Sequence, residues 1–232
     1  MPTVGGADGC KRGWVLVTKY LESGVVSWQT CELTENLVYG PLAPDLLGLD
    51  IPIGLPDSGP RQCDVEARVF IGPRRSSVFP APIRCVLCAT TYREACELRY
   101  RAESKKMSQQ AWHIIPKIRA VDSLLRRDPA LQQKIREVHP EVCFRTLAGR
   151  HLMHAKKTTQ GREERIQLLE PWFGDYLSSA LAERRELGCA LDDLLDAFVA
   201  CWTAERIYSG RAKVRPPEPP RDSAGIRMEI VS

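Results

Sequence analysis

The stretch TVGGADGCKRGWVLVTKYLESGVVSWQTCEL, residues 3–33, carries the pattern that decides the fold. Gly13–Tyr20 and Val25–Leu33 are runs of β-branched and aromatic residues, separated by the turn-forming residues 21–24. This pattern predicts a β-hairpin after a glycine-rich opening that ends in the segment GADG. Another apolar run, Leu46–Ile51, is closed by Pro52 and is typical of a buried parallel strand. Together these runs predict a mixed β-sheet.

Helical patterns dominate the rest of the chain, apart from strand-like runs at Glu137–Phe144 and Ile226–Val231. The clearest predicted helices are Tyr92–Glu103, Gln109–Ile115, Ile118–Arg127, Arg162–Leu169, Tyr176–Glu186 and Cys189–Tyr208. Pro116 is expected to separate the second from the third. We therefore expect an α/β fold with a mixed sheet flanked by helices, formed as one domain over residues 1–232 with a helical insertion at about 61–135.

The composition fits a soluble globular protein and argues against several other classes. No apolar stretch approaches the roughly 20 residues that a membrane helix needs, and the N-terminus lacks a secretory leader, so a cytoplasmic location is expected. Nine cysteines are scattered and odd in number, which favours reduced thiols. Cys85 and Cys88 form the one close pair, without the second pair that a zinc site needs. A net charge of +4 does not by itself indicate a nucleic-acid-binding protein.

Acidic residues at the ends of predicted apolar elements are the most informative chemical feature. Asp8 lies in GADG at the end of the first strand, and Asp50 ends the apolar run in LLGLDIPIG. Side chains at the carboxyl ends of neighbouring parallel strands converge on one crevice. Two carboxylates placed there repel each other unless a cation lies between them.

The last predicted helix contributes further acids through LDDLLDAFVACWTAER, residues 191–206. Asp193 and Asp196 share one helical face with Ala197, Ala200 and Ala204, and these small residues allow that face to lie close to the sheet. An acid at the start of a helix can also serve as a cap, which accounts for Asp192 but not for Asp196 one turn inside. Oxygen ligands without histidine or thiolate select Mg²⁺ or Mn²⁺, and two such ions suit the hydrolysis of phosphodiesters.

Several motifs along nearly the whole chain resemble the DUF429 family of predicted nucleases with a ribonuclease H-like fold. They are GADGCKRGW, LDIPIGLP, GPRRSSVFPAP, SQQAWHIIPKI, EVHPEVCF, HAKKT, LDDLLDA and GIRMEIVS. The segment DLLDA, which contains Asp193, Asp196 and Ala197, is also similar to the final-helix motif of RuvC-type resolvases. The resemblance implies that Asp8, Asp50 and Asp193 bind the metal while Asp196 assists catalysis. The large helical insertion departs from RuvC, so junction cleavage is not carried over.

Other residues are candidates on weaker grounds. Alternation in EVHPEVCF would place Glu141 on the same strand face as Glu137 and His139, either beside the metal as a catalytic acid or in a buried structural pair with His139. Basic and hydroxyl side chains are candidates for substrate phosphates, although isolated pairs of basic residues are commonly only solvated. These candidates are Arg75, Ser76, Ser77, Lys117 and Lys156.

The sequence therefore predicts a nuclease that depends on a divalent metal and acts on DNA or RNA, with oligomeric state and substrate structure left open. One alternative is a nucleic-acid or nucleotide-binding module that has lost turnover, although a binder gains nothing from acids that repel phosphate. Another is a phosphotransferase of the actin-like fold, suggested by GADG followed by a hairpin. The phosphotransferase would need a second copy of the fold, for which 232 residues leave little room.

Overall fold

The computed structural model describes all 232 residues, and its centre is a five-stranded mixed sheet. The strands are β1 (Thr3–Cys10), β2 (Gly13–Tyr20), β3 (Val26–Cys31), β4 (Leu46–Asp50) and β5 (Ile135–Glu137). They are ordered β3-β2-β1-β4-β5. The first three strands form an antiparallel meander, and β4 runs parallel to both β1 and β5. The predicted hairpin and the predicted parallel strand are both confirmed.

Helices cover both faces of this sheet. The short helix α1 (Asn36–Tyr39) precedes β4, and four helices lie between β4 and β5: α2 (Gln62–Ile71), α3 (Tyr92–Glu103), α4 (Gln109–Arg127) and α5 (Leu131–Lys134). Two 3₁₀ segments, Gly72–Ser77 and Arg84–Cys88, lie in the same region. After β5 come α6 (Pro140–Ala148), α7 (Thr159–Phe173), α8 (Asp175–Leu187), α9 (Leu191–Tyr208) and a ribbon of β6 (Val214–Arg215) with β7 (Ile230–Val231). No helix is both long enough and apolar enough to cross a membrane.

Two predictions fail at prolines. Gln109–Arg127 is a single helix that contains Pro116, so the predicted break is wrong. The segment predicted as the strand Glu137–Phe144 contains only the end of β5, and α6 begins at Pro140. Proline is well suited to the first turn of a helix, because its fixed φ is helical and its missing N–H would have no partner there. At the C-terminus, the predicted strand Ile226–Val231 is reduced to Ile230–Val231.

The sheet is buried on both faces, and alternate residues of its strands enter two separate cores. Trp14 and Leu16 of β2 pack in a cluster with residues of α4, whereas Val15 and Val17 pack in a cluster with α9. This alternation follows from the two-residue period of a strand. One face of the sheet therefore supports the region between β4 and β5, and the other supports the C-terminal helices.

Two glycines allow α9 to lie directly on the sheet. Gly6 of β1 and Gly48 of β4 are register partners in the parallel pair. A Cβ atom added at Gly6 would lie 2.2 Å from the carbonyl oxygen of Ala197, and one added at Gly48 would lie 2.8 Å from that of Ala200. Backbone therefore packs on backbone, as expected from the alanines of the helix. This contact fixes where the first turns of α9 meet the ends of β1 and β4.

Candidate metal centre

Asp8 and Asp50 lie side by side on the face of the sheet that α9 covers. They are register partners in the parallel pair, two residues beyond the partners Gly6 and Gly48. Because alternate residues of a strand share a face, both side chains point to the same side as those glycines. Asp8 lies inside β1 rather than after it, and its Oδ1 accepts a hydrogen bond of 2.6 Å from the backbone N–H of Gly9. Asp50 is the last residue of β4.

Asp196 completes a group of three carboxylates. It lies in the second turn of α9, one residue before the Ala197 carbonyl that contacts Gly6, and only 2% of its surface is exposed. One carboxylate oxygen from each of Asp8, Asp50 and Asp196 lies within 4.8 Å of the other two. Three hard oxygen ligands at this spacing could hold a divalent cation such as Mg²⁺ or Mn²⁺.

The position of Asp193 differs from its predicted role as the third metal ligand. Its Oδ2 accepts a hydrogen bond of 3.0 Å from the backbone N–H of Ala190, so it caps its own helix. Asp193 still lines the same cleft, but the compact group contains Asp196 in its place. An acid at the third helical position can reach back to the start of the helix, whereas Asp196 has passed that start and faces the strands.

Burial and mutual repulsion make this cluster costly when it is fully ionised. The pKa of Asp8 is raised well above the ordinary value, first by burial and then by the charges of Asp50, Asp196 and Asp193. The pKa of Asp50 is raised well above the ordinary value for the same kinds of reason, with burial again the largest. Burial raises the pKa of Asp196 to about 6, although nearby Lys156 opposes the shift. A bound cation would relieve these penalties.

Lys156 provides a positive charge inside the group. Its Nζ lies 3.0 Å from Oδ2 of Asp196, whose side chain is 3% exposed, while the lysine side chain is 40% exposed. Lys156 was predicted to contact substrate phosphates. The structure places its ammonium group against a candidate metal ligand, in the same cleft.

Glu141 reaches the cleft from a different element than predicted. It lies in the first turn of α6, where its Oε1 forms a buried ion pair with Arg165 of α7. Its Oε2 is buried and has no hydrogen-bond partner. His139, just before this helix, lies with Nε2 3.3 Å from the carbonyl oxygen of Ser77. The buried partner of Glu141 is thus Arg165 and not His139, and Glu141 lines the cleft that also contains the three acids.

The cleft has a volume of about 760 Å³ and a partly cationic wall. Of the predicted phosphate contacts, Ser76, Ser77, Lys117 and Lys156 line it. Arg75 is exposed and does not belong to the lining, which contains its neighbour Arg74 instead. The side chain of Lys117 crosses Gly9, with Cε 2.9 Å from where a Cβ would lie, and its Nζ lies 3.4 Å from the carbonyl oxygen of Cys10.

Comparison with known proteins identifies the family of this chain. Residues 6–221 match the profile of a family described as a protein of unknown function, DUF429. The chain belongs to the DUF429 family. No curated protein and no solved structure matches it. The matched span of this DUF429 chain contains all three clustered acids and Lys156.

The DUF429 chain also contains a buried charged network that the sequence analysis did not find. Arg61 donates to both carboxylate oxygens of Glu137 at 2.7 Å and pairs with Asp64 at 2.6 Å. Burial raises the pKa of Glu137 to about 7, against the opposing charge of Arg61. These residues line the cleft behind the three acids and join α2 to the end of β5. In the sequence, this network could have been recognised from Glu137, an acidic residue at the end of a third parallel strand.

Proposed function

We propose that this protein is a nuclease that hydrolyses nucleic-acid phosphodiesters with the help of Mg²⁺ or Mn²⁺. The observation that carries the proposal is the close approach of Asp8, Asp50 and Asp196, whose oxygens lie within 4.8 Å of one another at the edge of a cleft. A carboxylate as buried as Asp196 is normally paired with a cation, and Asp8 and Asp50 are half-buried beside it. Here the three acids have one lysine, Lys156, among them, so the group has an excess of negative charge when all three are ionised.

The donor set fits a hard divalent cation. All three ligands offer carboxylate oxygen, and the nine cysteines are free and take no part in the group. Carboxylates without thiolate or imidazole favour Mg²⁺ and Mn²⁺ over zinc or copper. A cation bound there would supply Lewis acidity and lower the pKa of a water molecule.

The remaining cleft residues are suited to holding a phosphodiester. Ser76 and Ser77 can donate hydrogen bonds to phosphate oxygens, and Lys117 and Arg74 bring positive charge to the same wall. Phe79 lies on the cleft with 54% of its surface exposed, which suits stacking on a base. The cleft therefore offers cations for the backbone and an aromatic face for a base beside the acids.

The topology supports a ribonuclease H-like assignment. An antiparallel meander continued by two parallel strands, with acids at the ends of β1 and β4 and on a packed helix, is consistent with that architecture. A phosphotransferase of the actin-like fold needs two copies of the sheet. This chain has one five-stranded sheet and a two-stranded ribbon.

The test is a cleavage assay on end-labelled DNA and RNA oligonucleotides with Mn²⁺, Mg²⁺ or chelator. We expect the wild-type protein to cut with either ion and not with chelator. Asp50→Asn should bring the rate to that of the chelated protein, because it removes a candidate ligand. Asp175→Asn is the matched control, since Asp175 is exposed at the start of α8. Cleavage that persists in Asp50→Asn would indicate a contaminating nuclease. Binding without cleavage in any condition would favour the module that has lost turnover.

A further inference from the structure

Lys156 is built into the acidic group rather than being a mobile surface lysine. It lies in the loop between α6 and α7, which is fastened at several points. Glu164 of α7 accepts hydrogen bonds of 3.1 Å from the backbone N–H groups of Met153 and His154. On the other side, the carbonyl oxygen of Ala155 lies 1.9 Å from where a Cβ of Gly161 would be, so only glycine allows this contact. The loop therefore directs Lys156 into the cleft.

Its ammonium group faces the same acids that form the candidate metal centre. Nζ lies 3.0 Å from Oδ2 of Asp196, and the charges of Asp196, Asp50 and Asp8 all stabilise the protonated lysine. The neighbouring Lys157 lines the cleft but is exposed and has no ion pair. Of these two lysines, only Lys156 is part of the cluster.

Charge balance limits how many metal ions can join this lysine. Asp8, Asp50 and Asp196 carry three negative charges when ionised, and Lys156 carries one positive charge. With one divalent cation, the three carboxylates, Lys156 and the metal ion together have no net charge. A second divalent cation would give this group two excess positive charges among half-buried and buried ligands, and the capping Asp193 could offset only one of them.

We propose that Lys156 serves as the second cation of the site, so that the three carboxylates bind one divalent ion instead of two. This inference rests on the proposed function and revises its expected number of ions. An ammonium group has three N–H donors, and one is used by Asp196. The side chain is 40% exposed, which leaves the other donors accessible to a phosphate oxygen of the substrate.

The test is the number of Mn²⁺ ions bound per chain, measured by calorimetric titration and by electron paramagnetic resonance of free Mn²⁺. The full chain is compared with Lys156→Met, which keeps an unbranched side chain one atom shorter and removes its charge. Lys156→Gln is a second variant in case the first does not fold. Lys19→Met is the matched control, because Lys19 pairs at 2.7 Å with Glu205, also on α9 but not in the cleft.

We expect one Mn²⁺ per chain in the wild type and in Lys19→Met, and two in the Lys156 variants. We also expect Mn²⁺ to raise the melting temperature of the Lys156 variants more than that of the wild type, since more repulsion is relieved. Two ions in the wild type, or one ion in all four proteins, would overturn the role of Lys156 and leave the nuclease proposal intact. No binding in the wild type would overturn the metal centre itself, and this inference with it.

Discussion

Asp8 is a carboxylate that the fold holds where its charge is unfavourable. It lies half-buried beside Asp50 and Asp196, and its pKa is raised by desolvation first and by those neighbours next. Its one hydrogen bond comes from the backbone N–H of Gly9. A side-chain amide could accept that bond equally well. The negative charge of Asp8 is therefore not needed for this hydrogen bond.

We predict that Asp8→Asn abolishes Mn²⁺ binding and leaves the metal-free protein as stable as the wild type or more stable, because repulsion is relieved while the hydrogen bond from Gly9 remains. The contrasting variant is Asp64→Asn, which leaves the buried Arg61 with one carboxylate partner fewer and should lower stability. Thermal unfolding in chelator and in Mn²⁺, beside calorimetric titration, checks both. A loss of about 0.5–2 kcal/mol in metal-free Asp8→Asn would instead assign Asp8 a structural, cap-like role.

The raised pKa values also predict how the metal-free protein responds to pH. A carboxyl group with a higher pKa in the folded than in the unfolded chain stabilises the fold at low pH, and this contribution is lost as pH rises through the folded value. For Asp196 that window runs from the ordinary value of 3.8 to about 6. Asp8 is shifted in the same direction.

We therefore expect the stability advantage of Asp8→Asn over the wild type, measured in chelator, to widen as the pH rises above the ordinary aspartate value of 3.8, since asparagine does not ionise. Saturating Mn²⁺ should reverse the trend for the wild type, because ionised acids bind the metal. Thermal unfolding at several pH values measures the difference. An advantage that shrinks with rising pH would mean that Asp8 is stabilised as an anion in the metal-free fold.

The sequence was sufficient to place Asp8, Asp50 and Asp196 near one another but not to rank the acids of the last helix. Asp193 and Asp196 share a helical face, so periodicity cannot separate them. What separates them is the distance along α9 from its contact with Gly6, together with the hydrogen bond from Ala190 to Asp193. Both features depend on the position of α9 along the sheet, which local sequence patterns do not determine.

At the scale of elements, the packing of α9 on β1 and β4 sets the geometry of the cluster. The sequence indicated the alanine face of the helix, whereas the matching glycines on the strands were not recognised.

EVHPEVCF was predicted as a strand because its alternation is real, but Pro140 begins a helix there. In this short segment the two-residue alternation predicts a strand, whereas Pro140 favours the start of a helix. Pro116 shows the opposite case, a proline carried inside a helix that tertiary packing supports.

We predict that Gly6→Ala destabilises the protein by about 1–3 kcal/mol or more, the usual cost of overpacking a tight contact. Its Cβ would lie 2.0 Å from the backbone nitrogen of Cys201, and a backbone atom cannot move aside alone. Gly9→Ala on the same strand is the control for stability, because its Cβ would meet only the flexible end of Lys117. Denaturant unfolding compares the two. Equal stabilities would show that α9 is not seated on β1 as described.

Across the whole molecule, the cleft is assembled from parts that are distant in the sequence. The sheet supplies Asp8 and Asp50, α9 supplies Asp196, and the loop before α7 supplies Lys156. The region between β4 and β5 closes the opposite wall with the segment from Arg74 to Pro82 and with the start of α4. The region predicted as a helical insertion thus forms half of the candidate site, including the predicted contacts Ser76, Ser77 and Lys117. How its segments lie against the acids could not be predicted, since that depends on where the insertion folds back.

The limited volume of this cleft leads to a prediction about the substrate. A volume of about 760 Å³ is in the range of pockets for small ligands, and the acids lie among its walls. A continuous duplex is too wide to enter such a pocket, so enzymes with enclosed sites act on single strands or extrude a nucleotide at an energetic cost. We therefore expect a labelled single-stranded oligonucleotide to be cut at least about tenfold faster than the same strand in a duplex, as an unpairing cost of a few kcal/mol implies.

A duplex with a short unpaired bulge should be cut at the bulge. Initial rates in Mn²⁺ for the three substrates measure this order, with Asp50→Asn as the blank. Faster cleavage of the intact duplex would mean that the wall formed by residues 74–82 opens in solution, and that the cleft as described is not the state that binds substrate.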